Sequence, residues 1–379
     1  MPVPAAHRAD EPVRDRADAV GGGRHHRRSR ARGRRQGRDR VVPSRLRRHG
    51  AAGARDRADR DDHRARRAAR RARRADARER PLRRLLIAVL GPGGVGGLVA
   101  GALAHAGEPV VLLCREETAD TLARTGLHVT SRALDEDFVA WPRIATTLDE
   151  PVDALLVASK ATTLSASLER VAPDAPRLVV PLLNGLDHME VLRARFGDAR
   201  TRAGVIRVQS DRPAVGRIVQ DSAAVRIDIA GPETDIPPVA ALARALRSAG
   251  IETRTGASEA DVLWSKLARL NAIACATTAF DATLGEIRED PSRLSALHAA
   301  IAETAAVARA EGADVDTDTT IAEVDALRGD QSSSMARDVA AARAPELDAI
   351  PGAVLRAAAR HGIATPAVEY LHARIAARA

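Results

Sequence analysis

The sequence predicts an α/β protein in which a doubly wound parallel sheet is followed by an all-α domain, both behind a long basic leader. Three observations predict it. A glycine-rich turn at Gly91–Gly96 follows an apolar run and opens an alanine-rich helix. Strand-like and helix-like periods then alternate as far as about Ala257. From there to Ala379 helix periods recur with almost no strand candidate. The expected organisation is residues 1–84 as a disordered Arg-rich extension, 85–256 as the α/β domain and 257–379 as the helical one.

The leader sets the overall charge. Residues 1–84 hold 29 arginines against 11 acids, a net of +18, whereas the whole chain carries +9, so the body from Leu85 onward is acidic at −9. The leader has few large apolar residues and no sustained apolar period, so it cannot bury enough surface to offset chain entropy. Its charge would suit a phosphate backbone, but no aromatic residue interleaves the arginines and no groove-reading motif appears. An upstream extension is expected, with no nucleic-acid partner. The leader has no apolar segment of secretory type, and its interspersed aspartates argue against a transit peptide. Cys114 and Cys275 each sit alone in an apolar run, which fits a reducing cytoplasm and neither a disulfide framework nor a metal site.

The body begins with Leu85–Leu90, a short apolar run of the kind buried inside a parallel sheet. Gly91, Pro92, Gly93, Gly94, Val95 and Gly96 follow. Gly91 permits the tight turn, Gly93 leaves space for a pyrophosphate, and Gly96 lets the helix lie against the strand. The helix runs to about Ala106, Gly107 stops it, and Pro109–Leu113 supplies a second strand. Strand, glycine turn, helix and strand in that order define a Rossmann-type dinucleotide-binding unit, with phosphate at the helix start. Leu85 to Ala104 is free of charge, but its six glycines and one proline argue against a membrane span. Arg115 stands at the end of the second strand, where a carboxylate would receive an unphosphorylated ribose. An arginine fork suits a 2′-phosphate, so NADP is expected, although Glu116 and Glu117 keep an acidic alternative close by.

Further strands are expected at Ala154–Ala158, Leu178–Pro181 and Val225–Ala230, with a small hairpin over Arg132–Ala140. Helices are expected at Glu117–Arg124, Ser165–Val171, His188–Ala194 and Pro237–Ala249. Of 59 basic residues only Lys160 and Lys266 are lysine. Where a generic cation would serve, this chain uses arginine, so the two exceptions are candidates for positions where proton transfer or a small cation is needed. Lys160 follows a strand at the carboxyl edge, where open α/β sheets bind ligands. Lys266 lies in Asp261–Leu270, in the first long helix past the domain change, where it can face the cleft. Asparagine is as scarce, at Asn184 and Asn271 alone. Asn184-Gly185 reads as a turn after a strand, or as an amide directed at cofactor or substrate.

Taken together, GPGGVG at Gly91–Gly96, Arg115, Lys160, Asn184-Gly185, Trp264-Ser-Lys266-Leu, Gly285-Glu286, Ser333-Ser334-Met335, Pro345-Glu346-Leu-Asp348 and His361–Pro366 resemble the ketopantoate reductase family over nearly all of Leu85 to Ala379. The resemblance implies NADPH-dependent reduction of a 2-oxo acid to a 2-hydroxy acid, in pantothenate biosynthesis, in a cleft between a Rossmann and a helical domain. It implies Lys266 as general acid and a substrate contact, and Glu346 as the carboxylate that contacts the cofactor and positions the site. Ser334 would be a substrate contact, Arg115 the 2′-phosphate contact, and Lys160 and Asn184 cofactor contacts, Asn184 also touching substrate. A homodimer is compatible with it. The residues read alone agree, since hydride addition builds negative charge that an ammonium can stabilise and then protonate. Ser334 and Glu346 are expected at helix starts, Ser334 just before a helix opening at Met335.

The chain departs from the family at three asparagine positions. Those four and eight residues after the lysine are Leu270 and Ala274, and the one before the Gly-Glu pair is Leu284. Asn271 lies one step off register, about 100° around the helix. A less polar substrate than 2-dehydropantoate is therefore expected. The alternative reading is a non-catalytic NADP-binding sensor or interaction protein with a decayed substrate pocket.

Overall fold

The computed structural model describes residues 84–232 and 237–378; the expectations for the basic leader lie outside them. The α/β part runs β1 (Ile87–Leu90), α1 (Gly94–His105), β2 (Val110–Leu113), α2 (Glu116–Thr125), β3 (Leu127–Ser131), β4 (Glu136–Ala140), β5 (Arg143–Ala145), β6 (Ala154–Val157), α3 (Leu164–Leu168), β7 (Val179–Pro181) and α4 (His188–Phe196). It continues with β8 (Gly204–Arg207), β9 (Ser210–Ala214), β10 (Arg217–Gln220), β11 (Arg226–Ile229), α5 (Pro237–Ser248) and β12 (Glu252–Thr255). Then come helices alone: α6 (Glu259–Phe280), α7 (Leu284–Glu289), α8 (Pro291–Ala310), α9 (Thr317–Asp325), α10 (Ser334–Ala340), a π-helical turn at Asp348–Gly352, α11 (Ala353–His361) and α12 (Pro366–Ala376). None of the described helices is long and apolar enough to cross a membrane.

The expected doubly wound parallel sheet is present, and two smaller sheets that the sequence did not show accompany it. A five-stranded parallel sheet in the order β5-β2-β1-β6-β7 forms the core of this part. A four-stranded mixed sheet, β4-β3-β10-β9, and a three-stranded one, β12-β11-β8, complete the α/β part. The expected hairpin exists, but its first strand starts at Leu127 rather than Arg132, and β10 joins it in parallel from almost ninety residues downstream. β9 carries Pro213 and is mostly exposed, as its place at a sheet edge allows.

The second sheet explains the glycines of α1. The helix is buried from Gly96 to Leu103 because it has the parallel sheet on one side and β3, β4, β9 and β10 on the other. A Cβ on Gly97 would meet Ile218 Cδ1 at 2.5 Å, and one on Gly101 would meet Val129 Cγ2 at 2.7 Å. Gly96 serves the opposite contact, since a Cβ there would lie 2.0 Å from the Gly91 carbonyl oxygen.

In the helical part, Ser258 caps α6 by accepting from the Asp261 amide. α6 packs along α8 through small and apolar residues, among them Leu267, Cys275, Ala300 and Ile301. Asn271, fully buried, donates to Thr304 Oγ1 at 2.9 Å and accepts from Cys275 Sγ. It satisfies a helix–helix contact and faces away from Lys266, as its register requires.

Candidate active site

The glycine turn has the shape its sequence implies. Gly91 takes φ +106°, open only to glycine at low cost, and a Cβ there would press on Ser159 N at 3.0 Å. Gly93 faces open space, with nothing within 4 Å of a built Cβ. It offers no side-chain cap, so the first-turn N–H groups of α1 stay available to an anion. Arg115 precedes α2 and is exposed, and its side chain makes no hydrogen bond among the described residues. These residues fit a dinucleotide with a phosphorylated ribose.

β6 and β7 end at Val157 and Pro181, and three residues beyond each comes a candidate side chain, Lys160 and Asn184. Both reach the helical part. Asn184 Oδ1 accepts from Lys266 Nζ at 2.8 Å, while Asn184 Nδ2 donates to Glu346 Oε2 at 3.0 Å. Glu346 Oε1 also accepts from the Ala161 amide at 3.3 Å. One amide thus joins the amine of α6 to the carboxylate before the π-helical turn, at the carboxyl edge of the parallel sheet. Gly185 makes the approach possible: at φ +86° it leaves no room for a Cβ, which would sit 2.2 Å from the Ala349 carbonyl oxygen.

Burial strips water from the Lys266 amine and, with the nearby Arg207 and Arg269 guanidiniums, lowers its pKa to about 7, against the opposing pull of Glu346 and Asp228. An amine so placed exchanges a proton near neutrality, as a general acid must. His188, at the start of α4, is buried with neither ring nitrogen hydrogen-bonded among the described residues. Burial first, then the charge of Lys266, pushes its pKa down to about 4, so it is neutral beside the amine.

Lys160 stands at the carboxyl edge of the sheet and pairs there with a carboxylate. Its Nζ lies 2.7 Å from Asp338 Oδ2, and Asp338 also accepts from Arg343 Nε at 2.8 Å, so Lys160 ties the sheet edge to α10. Ser334 is the first residue of α10 and is exposed; the cap is Ser333, which accepts from the Ala336 amide and meets Thr277 Oγ1 at 2.8 Å. The helix therefore opens one residue earlier than expected. Glu346 stands two residues ahead of the π-helical turn and does not itself start a helix. Lys266, Asn184 and Glu346 come together, whereas Ser334 has no bond to that trio. Asp338, His188, Arg207 and Arg269 were not singled out in the sequence. A histidine four residues after the Asn-Gly turn was the one available signal, while single arginines are lost among 57.

A glycine turn open to phosphate, an adjacent arginine, and an amine tuned near neutrality at the carboxyl edge define a dinucleotide-dependent oxidoreductase. Family models agree over both parts: "Ketopantoate reductase PanE/ApbA" matches residues 87–231 and "Ketopantoate reductase PanE/ApbA C terminal" residues 260–379. A 2-dehydropantoate 2-reductase of Caulobacter vibrioides is 32% identical over 290 residues, covering 74% of this chain and 94% of its own length. One from Mycobacterium tuberculosis is 31% identical over 305 residues, covering 77% and 97%. The crystal structure of the Geobacter metallireducens 2-dehydropantoate 2-reductase superposes with a TM-score of 0.70 at 27% identity, over 78% of this chain and all of that one. The chain belongs to the ketopantoate reductase family, a family of NADP-dependent oxidoreductases.

Proposed function

We propose that this protein reduces a 2-oxo acid, 2-dehydropantoate or a relative, to the 2-hydroxy acid with NADPH, and that Lys266 is the general acid. The observation that carries the reading is the hydrogen-bonded line Lys266–Asn184–Glu346, which holds a near-neutral amine at the sheet edge. Gly93, the first turn of α1 and Arg115 would hold the cofactor, with Lys160 and Asn184 nearer its reactive end. When bound, NADPH supplies the hydride.

The chain's own residues do the rest. As negative charge grows on the substrate oxygen, the Lys266 ammonium stabilises it and passes a proton from Nζ to that oxygen. Asn184 orients the amine by accepting a hydrogen bond from it, and Glu346 orients Asn184 while its charge favours the protonated form of Lys266. Ser334, on the family pattern, contacts substrate, and the domain boundary lies near Ala257. The sensor reading has less support, because the amine and its partners are all in place. NADPH oxidation with a panel of 2-oxo acids tests the proposal. Turnover of at least one acid is expected; NADPH binding without turnover of any would overturn it.

A further inference from the structure

Two guanidiniums, Arg207 and Arg269, stand beside Lys266, and a third, Arg226, lies close to both, with too little negative charge to match them. Arg207 and Arg226 stand directly opposite one another in the antiparallel β8–β11 ladder. Like charges so paired destabilise a sheet. Asp228, on the same face of β11, is the only buried carboxylate shared between them among the described residues. It accepts from Arg207 Nε at 3.2 Å, and its other oxygen lies 3.1 Å from Arg226 Nε in a poorly directed contact that leaves both of those buried atoms without a hydrogen bond. Arg269 comes from α6 one helical turn past Lys266. Its nearest carboxylate, Glu323, is largely exposed and 3.7 Å away. Arg207 also donates to Ser265 Oγ at 2.8 Å, which fixes its guanidinium next to the lysine's own position on α6.

A fold gains nothing by holding cations this way. Desolvation and mutual repulsion disfavour Arg207, and desolvation disfavours Arg269. A bound anion would offset that cost, and the guanidinium fork matches a carboxylate. The glycine turn and Arg115 serve a dinucleotide at another strand edge, so this anion belongs to the molecule facing Lys266. We propose that Arg207 and Arg269 form a subsite for a second carboxylate of the substrate, so that the acid reduced is a 2-oxo dicarboxylic acid. The inference rests on the reductase reading and names its substrate class. One helical turn, roughly 5 Å, separates Lys266 from Arg269, close to the span between carbonyl and distal carboxylate in a five-carbon 2-oxo diacid. A diacid is more polar, not less, than the substrate expected from Leu270, Ala274 and Leu284; Ala274 and Leu284 are fully buried in the helical core, so their apolar side chains report on packing there and leave the charge at β8 and Arg269 to set the substrate.

The test separates binding from turnover. 2-Oxoglutarate and 2-oxopentanoate share a chain length and differ in the distal carboxylate. Each is titrated by calorimetry into NADP+-loaded protein, a complex that cannot react. The diacid is expected to bind at least about tenfold more tightly, and Arg269→Gln, whose side chain is partly exposed and loosely paired, to bring the affinity ratio close to one. Arg207→Gln, with Arg226 still beside Asp228, should act the same way. Equal affinities in the wild-type protein, a preference that survives both substitutions, or a loss in Arg269→Gln that falls on NADP+ binding instead, would each overturn the subsite. A diacid preference with no NADPH oxidation by any 2-oxo acid would leave the subsite standing and defeat the reductase reading.

Discussion

Glu346→Gln should move the pH dependence of reduction, and the structure gives the size of the move. Glu346 is the stronger of the two negative charges that hold Lys266 protonated against its burial and Arg207. The path from Lys266 Nζ to the carboxylate has hydrogen-bonded legs of 2.8 and 3.0 Å on either side of the Asn184 amide. Unit charges roughly 7 Å apart at an effective dielectric constant of about 20 interact by about 2 kcal/mol, or roughly one to two pH units. The wild-type alkaline limb of kcat/KM should fall near pH 7, where the amine loses its proton. In Glu346→Gln it should fall one to two units lower, so that the rate at pH 7 drops by about tenfold or more yet partly recovers in acid. The glutamine cannot accept from both Asn184 and Ala161, which adds about 1–3 kcal/mol of lost stability that thermal unfolding would show. An equal loss of rate at every pH, with the limb unmoved, would refute the electrostatic role and leave Glu346 a purely structural one.

Other substitutions probe other parts. Arg115→Ala should weaken NADPH binding by about tenfold to a hundredfold and leave NADH binding nearly unchanged, as fluorescence titration would show. Gly96→Ala places a methyl 2.0 Å from the Gly91 carbonyl oxygen, so α1 must shift; the melting temperature and NADPH affinity should both fall sharply. Lys266 also links stability to pH. Its folded pKa lies near 7, below the usual 10.5, so the unfolded chain binds more protons between those values and stability rises with pH through that window. Urea unfolding should show the rise, by up to about 1 kcal/mol per pH unit, and Lys266→Met should flatten it.

How much of this was legible in the sequence depended on whether the signal was local. The β1–α1–β2 unit follows from adjacent residues, apolar run, glycines and apolar run, and its elements lie within two residues of expectation. The second sheet was hidden because β10 pairs with β3 across a long stretch of chain and the exposed β9 carries no apolar alternation. The reason for Gly97 and Gly101 was hidden with it. Lys160 and Lys266 stood out only because arginine fills almost every other basic position, and the same bias concealed Arg207, Arg226 and Arg269. The pairing of Lys160 with Asp338, and the cap falling on Ser333, depend on how the helical part docks, which no local pattern encodes.

Lys266→Ala tests the central claim most directly, read as steady-state NADPH oxidation beside NADPH affinity. Loss of a general acid should lower kcat/KM for the oxo acid by about 10²–10⁴-fold while NADPH binds within about threefold of wild type. An alanine variant that keeps kcat/KM within about threefold of the wild-type value would show that the proton comes from elsewhere.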